Sequence, residues 1–293
     1  AAAYVDAAVK LDVVYDADMQ SDFDDLRFTD SDGVTLIDHW VERSVAASEA
    51  DVWVRIPTLA TSSVTEIYMY YSNVSVSSVS DGSNVFSTFE DFEDNDITDY
   101  SGDLSLFDTG ATPAPFGGSY ALNASPDVTA KAVVGISRTG SSISQGEIIR
   151  YMQYVDTSNT DEPCTLFGVS GAVTANVNYA VCLDLFGLGS PKVVLAENVE
   201  NNDSSGSELD SASLTYVTGW YEVEVDWQTD GAIDVSVFDS SGTLQATTSA
   251  VDNSITTGGF GFTFWAQSGG WDSLVSWPRT DTKPTSYFGA EQV

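Results

Sequence analysis

Residues 219–238 read Gly219-Trp-Tyr-Glu-Val-Glu-Val-Asp-Trp227 and, after Gln228-Thr-Asp-Gly231, Ala232-Ile-Asp-Val-Ser-Val-Phe238. Apolar and polar residues alternate with a period of two. Successive side chains of a strand point to opposite faces, so Tyr221, Val223, Val225 and Trp227 share one face and Glu222, Glu224 and Asp226 the other. Strands are expected at 220–228 and 232–238. The alternation recurs along most of the chain, interrupted by clusters of Gly, Asn, Asp and Ser, while helical periodicity is almost absent. This is an all-β pattern.

Outward from that stretch, further strands are expected at 131–137, 146–155, 164–169, 178–186, 192–197, 259–266 and 272–277. So many strands without helices in residues 87–293 predict a two-sheet sandwich. Residues 1–86 read as a separate small β-sandwich module. There Ala7-Ala-Val-Lys-Leu-Asp-Val-Val-Tyr-Asp16 alternates, and Asp30-Ser-Asp-Gly33 is a turn between Asp24–Thr29 and Val34–Ile37. Ala50–Pro57 and Glu66–Tyr71 are two more strands, and Asn73–Asn84 reads as a connector.

The chain has 293 residues, with 44 Asp+Glu against 10 Lys+Arg and a net charge of −34. It is still 42% hydrophobic and 12% aromatic, enough to bury a core. So negative a field repels phosphate backbones and anionic lipid surfaces, which excludes nucleic-acid and anionic-membrane binding. No apolar run reaches the roughly 18 residues of a spanning helix. Residues 1–86 hold four basic against fifteen acidic residues, and 87–293 hold six against twenty-nine, so both parts are acidic. Acid spread this evenly, with lysine scarce, is the composition of a protein adapted to molar salt. There the Debye length falls to about 3 Å and self-repulsion is screened. A haloarchaeal or haloarchaeal-virus source is expected. The other reading is an acidic, calcium-rich extracellular protein.

Cys164 and Cys182 flank a candidate hairpin with its turn near residue 173. Antiparallel pairing would set them opposite each other, either as a disulfide or as two buried thiols. The chain opens Ala1-Ala-Ala-Tyr4 with no export signal visible in it. Asn73, Asn123 and Asn202 head Asn-x-Ser triplets, candidate glycosylation sites if the protein is exported.

Asp25-Leu-Arg-Phe-Thr-Asp-Ser-Asp-Gly-Val-Thr-Leu36, His39-Trp-Val-Glu42, Val52-Trp-Val-Arg-Ile-Pro57, Ile67-Tyr-Met-Tyr-Tyr71 and Ser80-Asp-Gly-Ser-Asn-Val-Phe86 occur in order. Together they resemble the domain of unknown function numbered 2341, a small β module of surface and secreted proteins. Gly219–Trp227, Asp239–Leu244, Gly258–Phe262 and Trp271–Val275 resemble a concanavalin A-like jelly roll of laminin-G or glucanase type. The resemblance implies extracellular recognition or adhesion.

Four groups are candidates for chemistry. In jelly rolls of that resemblance, an acidic run near the start meets an Asp of the last strand at a calcium ion. Glu90, Asp91, Glu93 and Asp272 occupy those places, and their hard oxygens suit structural Ca²⁺. The Asp22–Asp32 cluster is a weaker calcium candidate, since its Asp-Gly turn explains it. Trp265 and Trp271, beside the stripe Phe260, Phe262 and Phe264, are candidates for stacking on sugar rings, with core packing as the alternative. Glu222, Glu224 and Asp226 resemble the paired acids of glucanases in spacing alone. A solvated acidic face is the plainer account, so no catalytic residue is assigned. His39 has no nucleophile partner and is expected to be structural.

The resulting expectation is a non-enzymatic extracellular, cell-surface or virion-surface recognition protein. It would bind a cell-surface glycan or glycoprotein through loops stiffened by calcium. Two other classes stay open. One is a structural subunit of a virus particle or filament (tail fibre, capsid decoration or pilus-like) with homo-oligomer contacts. The other is a glucanase-type glycoside hydrolase.

Overall fold

The computed structural model describes residues 3–124, 135–158, 162–171, 177–184, 191–199, 206–264, 269–281 and 283–289. The chain divides into two compact units, Ala1–Phe89 with Trp277–Val293, and Glu90–Ser276.

In the first unit, Tyr4–Val14, Glu49–Leu59 and His39–Val45 form an antiparallel sheet with Glu49–Leu59 central. Leu36–Ile37, Arg27–Thr29 and Tyr68–Tyr70 form another. Val9, Leu11, Val13, Val52 and Val54, the apolar half of the alternation, are buried with Phe23, Leu26 and Phe28. A second apolar centre gathers Trp40, Trp53, Phe86, Phe89 and Trp277, with ring centroids 5.0–6.4 Å apart. The Trp53 indole N–H donates to the buried Glu42 carboxylate at 3.0 Å. His39 is buried against Phe28, and burial pushes its imidazole down to about 4, so it sits neutral in the core. That agrees with a structural role.

The second unit is an antiparallel jelly-roll-like sandwich. One sheet runs in the order Leu244–Val251, Ala232–Phe238, Gly219–Trp227, Glu147–Val155, Gly270–Pro278, Ala121–Ala124, Phe107–Gly110. The other runs Ser207–Ser213, Lys192–Glu197, Tyr179–Asp184, Cys164–Val169, Thr257–Thr263, Gly135–Ser144, Ser101–Gly102. The alternation in 219–227 is realised as expected: Tyr221, Val223, Val225 and Trp227 are buried, while Glu222, Glu224 and Asp226 are half-buried on the outward face. The two inward faces meet in one apolar core. Trp227 crosses to Phe167 and Tyr179 of the opposite sheet at 5.3 and 5.8 Å, and Trp271 crosses to Phe262 at 5.3 Å.

Several strands are not foreseen from the sequence, among them Ser207–Ser213 and Leu244–Val251. Each stands at the edge of its sheet and carries mostly small or polar residues. They stitch the two sheets together through Asp210, which accepts from the Thr248 hydroxyl at 2.7 Å and the Ser249 N–H at 3.0 Å.

Cys164 and Cys182 stand opposite each other on neighbouring strands, with Cα atoms 4.0 Å apart, and form a disulfide. Of the two readings open in the sequence, the bonded one holds.

Candidate functional site

The four carboxylates expected to share a calcium ion each have other partners. Glu90 is buried. It accepts from the Phe92 N–H at 3.0 Å and the Tyr100 hydroxyl at 3.0 Å, and pairs with the Arg138 guanidinium at 2.6 Å. Arg138 in turn holds Asp99 at 2.6 Å. Asp91 accepts from the Glu93 N–H at 3.3 Å, and burial raises its carboxyl. Glu93 and Asp272 bind backbone amides of the loop 113–120. Among the described residues, the only group of three or more metal-ligating side chains within reach of a common point is Glu162, Cys164 and Cys182. The disulfide occupies both of those sulfurs. The residues present therefore do not fit the expected four-carboxylate calcium set. In the first unit, Asp25 accepts from the Gln20 and Ser72 N–H groups, and Asp32 caps the turn through Val34 and Thr35. Asp32 is thus explained as turn chemistry, while the buried Asp25 ties its own loop to the distant Ser72–Asn73 backbone.

Burial pushes the Glu90 carboxyl up to about 7, with the Phe92 amide and Arg138 pulling the other way. Its folded value thus lies above the ordinary 4.5. Across that window the folded protein holds more protons than the unfolded chain, so stability from this group is full below 4.5 and falls as pH rises towards 7. Urea midpoints measured at about pH 5 and about pH 7.5 should differ by less in Glu90→Gln than in the wild type. An unchanged pH slope in the variant would contradict this assignment.

The aromatic candidates are corrected. Trp271 is 0% exposed and packs on Phe107 and Phe262 in the sandwich core, so it offers no ring to a sugar. Phe260, Phe262 and Phe264 are buried too, which is the core alternative. Trp265 lies outside the described residues. Among the glycosylation candidates, Asn73 is exposed with its side-chain oxygen accepting from the Ser75 N–H. Asn123 is 6% exposed and its amide donates to the Ala121 carbonyl, which removes it as an acceptor of a glycan. Asn202 lies outside the described residues.

An aromatic face does exist, elsewhere. Trp220 is half-buried on the outward, acidic side of its strand, opposite Tyr154 in the neighbouring one. Their rings stand 5.4 Å apart, and Phe116 reaches Trp220 at 6.4 Å. The Trp220 indole N–H donates to the Ala114 carbonyl at 2.9 Å, fixing the ring plane. Gly270 lies beneath: a Cβ there would come within 3.1 Å of Tyr154 and 3.5 Å of Trp220. Glu222, two residues on and on the same face, pairs with Arg150 at 2.7 Å, and that guanidinium is 1% exposed. The arrangement combines rigid half-exposed rings with carboxylates that can accept from hydroxyls. Sequence alone assigns the remaining tryptophans to the core. Yet the period-2 rule that puts Glu222, Glu224 and Asp226 outward puts Trp220 there as well.

Fold and site together define an antiparallel jelly-roll-like sandwich with an aromatic and acidic outer face. The domain family described as a domain of unknown function (DUF2341) matches residues 22–102. Similar solved structures include the carbohydrate-binding module CBM66 from Bacillus subtilis, at 11% identity and a TM-score of 0.39, covering 53% of this chain and 85% of that one. The VIP36 exoplasmic/lumenal domain in its Ca²⁺/Man3GlcNAc-bound form is similar at 12% identity and 0.43, covering 61% and 86%. The endo-β-1,4-glucuronan lyase from the fungus Trichoderma reesei is similar at 9% and 0.44, covering 68% and 97%. At these identities the likeness is one of fold. A search of curated proteins returns no match.

Proposed function

We propose that this chain is a non-enzymatic, extracellular recognition protein that binds glycans on the face formed by Trp220, Tyr154 and Phe116. The observation that carries the reading is that cluster of half-buried rings, fixed by the Trp220–Ala114 hydrogen bond and bordered by Glu222. Sugar C–H faces pack on aromatic rings, and hydroxyls pair with neighbouring carboxylates. The disulfide suits an oxidising compartment. Among the described residues no helix is long and apolar enough to cross a membrane. Calcium is not part of this reading, because the carboxylates expected to hold it are engaged by amides, a hydroxyl and a guanidinium.

The test is a panel of neutral, amino and uronic oligosaccharides probed with the purified chain. Saturable binding to at least one class is expected, and absence of binding throughout overturns the reading. The composition further supports a high-salt habitat. Unfolding followed against KCl should show stability rising with salt, and full stability in dilute buffer would sink that part.

A further inference from the structure

The loop 113–120 presents two pairs of adjacent backbone amides to two carboxylates. Asp272 Oδ2 accepts from the Phe116 N–H at 2.9 Å and the Gly117 N–H at 3.2 Å. Glu93 Oε1 accepts from the Ser119 and Tyr120 N–H groups at 2.7 Å each. Asp272 is 1% exposed, so its carboxyl sits where those donors stand in place of water. Paired backbone N–H groups converging on one oxygen form an anion-binding nest, and bonds to an ionised acceptor are about twice as strong as neutral ones. Between the two clamps sits Gly118 with φ +58, and a Cβ there would lie 2.3 Å from the Glu93 carboxylate. A side chain at 118 and Glu93 in its present place are thus mutually exclusive, so loop conformation and clamp are matched to each other. The segment so held carries Phe116 to the Trp220 ring and the Ala114 carbonyl to its indole N–H.

We propose that Asp272 and Glu93 are positioning residues that hold Phe116 at the Trp220 face by gathering the amides of residues 116–120, a role that needs no metal ion. The consequence for ligand binding rests on the proposed glycan reading. The loop mechanism does not, and it is tested without a ligand.

Hydrogen exchange of the 114–120 segment, read by mass spectrometry, is the experiment. In the wild type its protection should be the same in excess EDTA and in excess CaCl₂. Asp272→Ala and Glu93→Ala should exchange this segment at least about tenfold faster, as expected for loss of charge-assisted bonds to the amides. Asp272→Asn and Glu93→Gln keep a carbonyl acceptor but lose the charge a cation needs, and should retain most of the protection. Protection that falls in EDTA overturns the proposal. So does an Asp272→Asn variant that exchanges as fast as Asp272→Ala, or, should the alanine variants not fold, a melting temperature of Asp272→Asn that no longer responds to calcium when that of the wild type does. A glycan panel without binding would defeat the functional reading and leave this result standing or falling by itself.

Discussion

Trp227→Ala is expected to lower stability by about 3–5 kcal/mol and the melting temperature by about 10 °C. Trp227 is 0% exposed and bridges the two sheets, its ring set against Phe167 and Tyr179. Gly168, at φ +65, lies over it: a Cβ there would stand 3.3 Å from the Trp227 ring and 2.8 Å from Ile255. The indole therefore fills a space closed on several sides by backbone and branched side chains, which cannot collapse into the hole an alanine would leave. Paired strands on either side hold the cavity open, since Val225 and Trp227 are registered against Ile149 and Glu147 in one neighbour and Val235 and Ile233 in the other. Denaturant unfolding followed by circular dichroism measures the effect. A loss below about 1 kcal/mol would mean that the sheets do not lock across this ring.

Loss of the disulfide comes next, at about 3 kcal/mol for Cys164→Ala with Cys182→Ala. The bridge closes a loop across a sequence separation of 18, for which chain-entropy arguments give roughly that value. Both positions are fully buried beside Leu166, Ala180 and Val194, so truncating them removes packing as well. The strands remain paired through their backbone ladders, so the fold should survive with a lowered urea midpoint. Equal midpoints for the wild type with and without reductant, after full reduction is verified by thiol titration, would contradict the stabilising role.

Much of this architecture is legible in the sequence because central strands carry large apolar residues at every second position. Cys164–Val169, Lys192–Glu197 and Ala232–Phe238 fall at the expected residues. Edge strands bury little and so alternate weakly, as Ser-Glu-Leu-Asp-Ser-Ala-Ser over 207–213 shows. The facing cysteines follow from the symmetry of a hairpin. The site is less legible, for two reasons. Alternation tells which face a strand tryptophan takes but not how far that face is covered, and Trp271 is buried while Trp220 is half-buried. A carboxylate reads the same whether it meets a cation or an amide. Asp272 and Glu93 meet amides from a loop far away in sequence, and no local spacing encodes that encounter.

The claim that Trp220 anchors glycan recognition is tested most directly by probing one printed glycan panel with wild-type and Trp220→Ala protein at matched concentration. Trp220 is half-buried and its strand is supported on both sides, so the substitution removes the ring and leaves the fold. Wild-type binding is expected, with at least about a tenfold loss of affinity in the variant, the scale of a central aromatic anchor. Equal binding by the two proteins, or none by the wild type, would contradict that anchoring role.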